Sequence, residues 1–250
     1  MSTAHEGSPD KSRTTIFTGG SGLLGSEFRK LRSDVLYPGH TEFDVTNFGQ
    51  MDEYVRMHGC GLVIHAAAFT SPPAVDKDPL KAAEVNILGT VNVVRLCARY
   101  GARLIYISTD YVFEGDRGNY VETDPVNPVN KYAWSKLGGE CAVRMYDKAL
   151  IVRTTFGPNR FPYERAFADQ WTSREPVSVF ALKLAGLVDK DISGVLHVGG
   201  SRRTVLEYAQ SLDPARTIGG ISVNDVSFKV PVDTSLKCER HHHLVNGTPE

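Results

Sequence analysis

The feature that most constrains this chain is a glycine-rich segment, Thr18-Gly-Gly-Ser-Gly-Leu-Leu-Gly25, which lies between two regular patterns. The β-branched residues 14–18 predict a strand, and the amphipathic residues that follow as far as Leu31 predict a helix. A glycine turn in that context places free backbone N–H groups at the start of a helix, where the helix dipole favours negative charge. The segment therefore predicts a turn that binds the pyrophosphate of a dinucleotide.

The glycines of this turn have separate expected roles. Gly19 permits the tight turn, Gly22 lets the backbone approach the phosphates, and Gly25 lets the helix pack closely on the sheet. A loop that binds nothing is the alternative, and the flanking strand and helix argue against it. The cofactor-binding residues predicted here are Gly19, Ser21, Gly22, Leu23, Leu24 and Gly25.

Short β-branched runs alternate with longer helical patterns along the rest of the chain. This order is typical of an α/β protein with a parallel sheet. Further strands are predicted over 35–37, 62–65, 103–108, 150–153 and 195–198, and helices over 81–100 and 131–145. Residues 1–13 predict a disordered arm and residues 239–250 a flexible tail, because both ends are polar and lack periodicity.

The charge balance argues against a polyanionic partner. The chain has a formal net charge of −1 in 250 residues, so it offers no general field for nucleic acid, and a small ligand is favoured. No window approaches the roughly 20 apolar residues of a membrane span. We therefore expect a cytoplasmic protein with no membrane or nucleic-acid partner.

Cysteine and histidine patterns do not predict a metal site. Cys60, Cys97, Cys141 and Cys238 are scattered without a C-x-x-C pair, which is typical of reduced thiols. The contiguous histidines at 241–243 lack the spacing of a structural site.

Tyr132 and Lys136 form the first part of a predicted reactive group. They are four residues apart on one predicted helix, so they share a face. A nearby ammonium can lower a phenol pKa from about 10 towards neutrality, which makes Tyr132 a candidate proton donor. Thr109 follows a predicted strand directly, at the edge of the sheet where ligands bind, and its hydroxyl could bond a substrate oxygen.

Taken together, six segments resemble the extended short-chain dehydrogenase/reductases. They are the glycine turn, Asp44-Val45-Thr46, Val63-Ile64-His65-Ala66-Ala67-Ala68, Ser108-Thr109-Asp110-Tyr111-Val112-Phe113, Tyr132-x-x-x-Lys136 with Gly139-Glu140, and Val152-Arg153-Thr154. Within that superfamily they are most similar to the dTDP-4-dehydrorhamnose reductase subfamily. The resemblance runs from about residue 14 to 153 and resumes over 169–173. It implies a Rossmann-type doubly wound parallel sheet, NADP or NAD as cofactor, and a homodimer.

The resemblance also implies a role for each matching position. Thr109, Tyr132 and Lys136 would form the catalytic triad, and the last two would also contact the cofactor. Asp110 and Tyr111 would touch the sugar. The remaining positions implied to bind the cofactor are Asp44, Val45, Ala66, Ala67, Ala68 and Asn86.

Two departures from the family pattern concern the substrate side. The chain is short between Arg153 and Asp169, so we expect a dinucleotide-binding domain over 14–155 and a reduced substrate lobe over 156–238, interleaved with the sheet. Arg160 and Arg174 are the candidate anion-binding residues of that lobe. Ser71-Pro72-Pro73 interrupts the loop after the strand at 62–65, and Val75-Asp76-Lys77 would follow in a loop on the substrate side.

The sequence leaves several functions open. The first is reduction of a nucleotide-linked 4-keto-6-deoxysugar such as dTDP-4-dehydrorhamnose. A nucleotide-sugar epimerase or dehydratase is the second, and a non-catalytic NAD(P)-binding regulatory subunit, like the partner of methionine adenosyltransferase, is the third. NAD and NADP both stay candidates, because no carboxylate stands at the tip of the strand predicted over 35–37 and Asp44 lies several residues beyond it.

Overall fold

A computed structural model of the protein describes residues 14–226 and 229–247, so the arm predicted at 1–13 and the last residues of the predicted tail lie outside it. The described strands are β1 Thr15–Thr18, β2 Leu62–His65, β3 Arg103–Ile107, β4 Ala149–Thr154, β5 Phe156–Gly157, β6 Arg165–Phe167, β7 Trp171–Thr172, β8 Glu175–Pro176, β9 Gly194–Val198, β10 Arg203–Thr204 and β11 Gly219–Ile221. The α-helices are α1 Leu23–Leu31, α2 Phe48–His58, α3 Pro72–Lys77, α4 Pro79–Ala82, α5 Gly89–Tyr100, α6 Lys131–Val143, α7 Val177–Val188, α8 Val205–Leu212 and α9 Glu239–Asn246. No described helix is both long and apolar enough to cross a bilayer.

A parallel sheet in the order β1-β2-β3-β4-β9 forms the centre of the molecule. Its strands are buried on both faces, and successive side chains alternate between two apolar cores. Phe17 and Ile105 pack in the core that α1 and α7 cover, whereas Ile16 and Leu104 pack in the core that α2 and α5 cover. The predicted α/β fold is confirmed.

The strand predicted over 35–37 is reduced to a single bridge. Leu36 pairs with Ile16 on the free edge of β1, where its N–H donates one backbone hydrogen bond and its carbonyl accepts another. Pro38 lacks an N–H group and follows at once, so the pairing cannot continue. After β1, the chain passes first to the edge of β1 where Leu36 lies, and then to the opposite edge, where it forms β2. The carboxyl end of β1 is therefore the switch point of the sheet.

The helix predicted over 81–100 is interrupted. Residues Ala83–Leu88 form a π-helical segment between α4 and α5, and this segment carries the buried Asn86. Such wide turns are often found at functional sites. The loop predicted around Val75 is instead α3, in which Val75 is fully buried and Asp76 pairs with Lys131 at 3.6 Å.

The chain after β4 contributes both to the central sheet and to a small lobe. Helix α7 and strand β9 belong to the sheet layers. Three two-stranded pairs, β5 with β8, β6 with β11 and β7 with β10, build the lobe around Phe161 and Tyr208. The tail predicted after Cys238 differs, because residues Glu239–Asn246 form α9, which packs against the edge strand β9 and buries His241.

Candidate active site

A cavity of about 780 Å³ opens at the carboxyl edge of the sheet, where β1, β2, β3 and β4 end. Its size is typical of small-molecule sites. It runs from the glycine turn to α6 and the start of the lobe. The predicted site residues that line it are Gly19, Ser21, Gly22, Leu23, Leu24, Asp44, Val45, Ala66, Ala67, Ala68, Asp110, Tyr111, Tyr132, Lys136 and Arg174.

The glycine turn is built as its spacing predicts. Gly19 has φ +75°, and a Cβ there would lie 2.9 Å from the Ala67 backbone. Gly25 does not line the cavity, and a Cβ on it would lie 2.5 Å from Gly20 Cα, so it lets α1 pack against the turn. Helix α1 begins at Leu23 with neither a side-chain cap nor an acidic residue in its first turn, which leaves its N–H groups available to an anion.

Thr18 joins the glycine turn to the end of β2. Its Oγ1 accepts hydrogen bonds from the N–H groups of Ala66 and Ala67 and lies 2.8 Å from His65 Nδ1. His65 is fully buried and its pKa is lowered to about 3 by desolvation and by Lys136, so the ring is neutral. Its other nitrogen lies 3.1 Å from Thr90 Oγ1, which donates to the Asn86 carbonyl. This chain of hydrogen bonds fixes β1, β2 and the π-helical segment to one another.

Asn86 is a positioning residue, and it does not line the cavity. Its side-chain amide bonds both backbone groups of Phe69 at 2.7 and 2.9 Å and donates to Ser135 Oγ at 2.8 Å. Ser135 in turn donates to the Tyr132 carbonyl. The amide is therefore committed to the cavity wall and to α6, which corrects the expectation of a direct contact with the cofactor.

Tyr132 and Lys136 lie on α6 as their spacing predicts, but their electrostatics differ from expectation. Burial and the neighbouring Asp110 raise the pKa of Tyr132 above its ordinary value, and hydrogen bonding with Thr109 only partly opposes this. The Lys136 amine donates to the Ile107 carbonyl at 2.8 Å, and burial lowers its pKa to about 7. The expected lowering of the phenol pKa by the ammonium is wrong for this structure, because desolvation dominates both groups.

Thr109 and Asp110 form a compact polar group beside the phenol. Thr109 is 6% exposed and does not line the cavity itself, because its hydroxyl bonds the Tyr111 N–H and the Asp110 carboxylate, both at 3.2 Å. Asp110 also accepts a hydrogen bond from Thr234 at 2.6 Å. Burial raises the pKa of Asp110 to about 6, against the opposing effects of these hydroxyls and of Arg174.

The two candidate arginines differ in their position relative to the cavity. Arg174 lines the cavity near Asp110 and Tyr111, and its Nε is buried without a hydrogen-bond partner among the described residues. Arg160 is exposed and absent from the cavity lining, which corrects the prediction of a substrate contact. Arg216 donates to the carbonyls of Phe161 and Tyr163, and Phe161 is buried in the lobe core, so the short segment is held on the lobe.

Two supporting residues, Glu140 and Gln170, have partners that no local pattern in the sequence predicts. Glu140 is completely buried behind Ser108 and accepts hydrogen bonds from Arg153, with 2.6 Å between Arg153 Nη2 and Glu140 Oε1. This pairing holds the pKa of Glu140 below its usual value despite burial. Gln170 donates to the Tyr111 phenol at 3.2 Å. Glu140 and residues 169–173 are part of the family resemblance, but their partners Ser108, Arg153 and Tyr111 lie in other elements.

The residues present fit a bound dinucleotide. The close approach at Gly19, the open N-terminus of α1 and the small side chains of Ala66–Ala68 provide the shape of such a site. Thr154 Oγ1, buried at the other end of the cavity, has no partner in the described chain and could bond a polar ligand group. Among the described residues no cluster of His, Cys, Asp or Glu has the arrangement of a metal site.

Comparison with known proteins agrees with this geometry. The dTDP-4-dehydrorhamnose reductase of Mycobacterium tuberculosis is 37% identical over 241 residues, covering 82% of this chain and 78% of that protein. The crystal structure of dTDP-4-dehydrorhamnose reductase from Bacillus anthracis in complex with NADP has a TM-score of 0.83 at 26% identity, over 95% of this chain and 92% of that one. Methionine adenosyltransferase 2 subunit beta of Xenopus tropicalis is 29% identical over 76% of this chain and 68% of that protein.

The fold and the site define an extended short-chain dehydrogenase/reductase, as the sequence motifs predicted. The model of the RmlD substrate binding domain matches residues 13–185. The chain therefore belongs to the RmlD substrate binding domain family.

The buried Asp110 gives a testable pH dependence. Its pKa is raised from 3.8 to about 6 on folding, so the folded state holds a proton that the unfolded state releases between these values. The stability from this group is complete below pH 3.8 and is lost as pH rises through 6. As the pH rises through this interval, the free energy of unfolding of Asp110→Asn should increase relative to that of the wild type. Urea denaturation at a series of pH values measures this difference.

The matched substitution Asp147→Asn, on an exposed turn, should leave the dependence of the free energy of unfolding on pH as it is in the wild type. If the free energies of unfolding of Asp110→Asn and the wild type differed by a constant amount across the interval, the raised pKa of Asp110 would be contradicted.

Proposed function

We propose that the protein is a reductase that uses NADPH or NADH to reduce the ketone of a nucleotide-linked 4-keto-6-deoxysugar, such as dTDP-4-dehydrorhamnose. The observation that carries this proposal is one continuous cavity that joins the glycine turn to Tyr132, Lys136 and Asp110. The names of the relatives support the substrate class. The bound dinucleotide would supply the hydride.

The protonation state and the position of the side chains suit the reduction of a ketone. Since burial raises the pKa of Tyr132, its phenol is protonated at neutral pH and can give its proton to the carbonyl oxygen as that oxygen gains negative charge. Thr109 does not line the cavity, so in place of the expected bond to the substrate oxygen its hydroxyl would orient the Tyr132 phenol, with which it is hydrogen-bonded. Lys136, held on the Ile107 carbonyl, places a proton-bearing nitrogen one helical turn from Tyr132.

The substrate side would use the start of the lobe. The Nε of Arg174 has no hydrogen-bond partner among the described residues, and its charge acts on the buried Asp110. A guanidinium in this place can bond an anionic or hydroxyl group of a sugar nucleotide. Tyr111, held by Gln170, forms the neighbouring wall. Asp110 and Tyr111 are the proposed sugar contacts.

The direct test is net oxidation of the reduced cofactor with dTDP-4-dehydrorhamnose, followed by loss of nicotinamide absorbance. Stoichiometric oxidation supports the reductase. Conversion of a nucleotide sugar without net oxidation would favour the epimerase or dehydratase alternative. Cofactor binding without turnover, together with a stable heteromeric complex, would favour the regulatory subunit, to which the methionine adenosyltransferase relatives correspond in name.

The homodimer and the cytoplasmic location are also part of this proposal. Helix α6 exposes Trp134 and Cys141, and the turn that follows it exposes Met145, with Trp134 55% and Met145 85% exposed. The adjacent π-helical segment exposes Leu88. Large exposed apolar side chains of this kind mark interaction surfaces. We expect sedimentation to show a dimer and the double variant Trp134→Glu/Met145→Glu to be monomeric. A Met57→Glu variant, altered at an exposed methionine of α2, should stay dimeric, and a monomeric wild type would contradict the proposal.

A further inference from the structure

A second cavity, of about 620 Å³, lies beside the edge strand β9 and shares no lining residue with the candidate active site. Its walls include the segment 122–126, the end of α6 and the first residues of β9. The charged side chains that line it are Arg144, Arg153, Arg240, Glu122 and Asp124. The proposed reduction uses none of them, so the cavity has no role in that reaction.

Arg153 places a buried positive charge at the wall of this cavity. Its side chain is fully buried, and its Nε and Nη2 donate to the two carboxylate oxygens of Glu140 at 3.2 and 2.6 Å. Its Nη1 lies 3.4 Å from the carbonyl oxygen of Glu122, and its guanidinium carbon lies 5.0 Å from the centroid of the Phe113 ring. These contacts fix the position of the guanidinium. Because its surroundings are desolvated, its charge acts more strongly on a ligand here than it would in water.

Arg144 and Arg240 bring two more guanidinium groups to the same cavity. Arg144 directly follows α6, its side chain is 49% exposed, and its Nη2 lies 3.1 Å from Glu140 Oε1. The single carboxylate of Glu140 therefore serves both Arg144 and Arg153. Arg240 of α9 donates to the Val195 carbonyl of β9. Hydrogen bonds thus hold all three arginines at the cavity.

The two carboxylates that line the cavity are bound to neighbouring groups. Glu122 Oε1 accepts a hydrogen bond from the His197 N–H at 3.0 Å. Asp124 Oδ2 lies 2.6 Å from Arg117, which does not line the cavity. With Arg117 added to the three lining arginines and Glu140 added to the two lining carboxylates, the group carries one excess positive charge. The cavity therefore favours an anion over a cation.

We propose that this second cavity binds the phosphate group of a small phosphorylated metabolite, with Arg144 and Arg240 donating to the phosphate oxygens and Arg153 behind them. A phosphate group has enough terminal oxygens to accept hydrogen bonds from more than one guanidinium, which suits arginines that come from different elements. Pro125 and Val126 provide apolar surface for the rest of the metabolite, and the volume is typical of small-molecule sites. The inference goes beyond the proposed function and does not depend on it.

The test is calorimetric titration of the purified full chain with inorganic pyrophosphate as the probe. Saturating NADPH is present, so that the glycine turn is occupied and does not take the probe. We expect the wild type to bind the probe saturably. In Arg144→Met and in Arg240→Met the dissociation constant should rise by about ten- to hundredfold, as loss of charge-assisted hydrogen bonds predicts.

A variant with the opposite expected effect separates charge recognition from general damage. Glu122→Gln keeps an oxygen that can accept from the His197 N–H and removes a negative charge from the cavity wall, so it should bind the probe about two- to tenfold more tightly. Lys148→Met removes an exposed cation outside the cavity and should leave the affinity unchanged. If Arg144→Met unfolds, Arg144→Lys, which keeps the charge and loses the planar fork, should show an intermediate loss.

Several outcomes would overturn the inference and leave the proposed reductase standing. They are no binding of pyrophosphate by the wild type, unchanged binding in both arginine-to-methionine variants, an equal loss in Lys148→Met, and weaker binding in Glu122→Gln. If the wild type fails to bind NADPH, the proposed function fails instead. The variants still locate the probe in that case, because the two cavities share no lining residue.

Discussion

Tyr132→Phe is expected to abolish ketone reduction while NADPH and NADH still bind nearly as they do to the wild type. The substitution removes the one hydroxyl of α6 that lines the cavity beside Thr109 and Asp110, and it keeps the ring that packs edge-on against Tyr111 at 6.4 Å between centroids. A positioned general acid contributes about 10²–10⁴-fold to a rate, so turnover should fall by at least that range.

Steady-state kinetics and cofactor titration check the two halves of this prediction separately. Tyr100→Phe is the matched control, because its phenol bonds Asp52 on the far side of α5 and lies away from the cavity. It should retain wild-type turnover. Wild-type rates in Tyr132→Phe would remove this residue from the role of proton donor.

Arg153→Met is expected to destabilise the folded protein by about 3–5 kcal/mol, because it leaves the buried carboxylate of Glu140 without its main partner. Both side chains are fully buried, and Arg153 donates to both carboxylate oxygens, at 2.6 and 3.2 Å. The remaining hydrogen bonds, from Ser108 and Arg144, compensate only in part. Urea denaturation measures the loss.

A surface pair provides the control for this measurement. Arg56 lies 3.5 Å from Asp52 on α2 with its side chain 64% exposed, so Arg56→Met should cost less than about 1 kcal/mol. The double variant Glu140→Leu/Arg153→Met should recover much of the lost stability, because it removes both buried charges. Similar losses in Arg56→Met and Arg153→Met would contradict the special cost of burial.

The features that the sequence predicted correctly are those set by local spacing. The glycine turn follows from small residues at fixed intervals between a strand and a helix, and the structure places it at the cavity. Tyr132 and Lys136 share one face of α6 because four residues are about one helical turn. The alternating cores of the sheet likewise follow from a period of two along each strand.

Errors in the prediction arose where tertiary contacts outweigh local pattern. The strand over 35–37 stops at one bridge because Pro38 follows, and the tail became α9 because the edge of β9 offers a surface to cover. Asn86 was expected to meet the cofactor, yet its amide is committed to Phe69 and Ser135. Arg160 and Arg174 were both expected to bind substrate, yet of the two only Arg174 lines the cavity.

By itself, the sequence determined the class of fold, the family and the chemical types at the proposed catalytic positions, because these depend on motifs within short stretches of chain. Tertiary structure alone decided how those groups ionise and what holds them. Asp110 meets Thr234 across 124 residues, and burial, rather than Lys136, sets the pKa of Tyr132. Desolvation and distant partners are properties of the folded interior, and no local spacing encodes them.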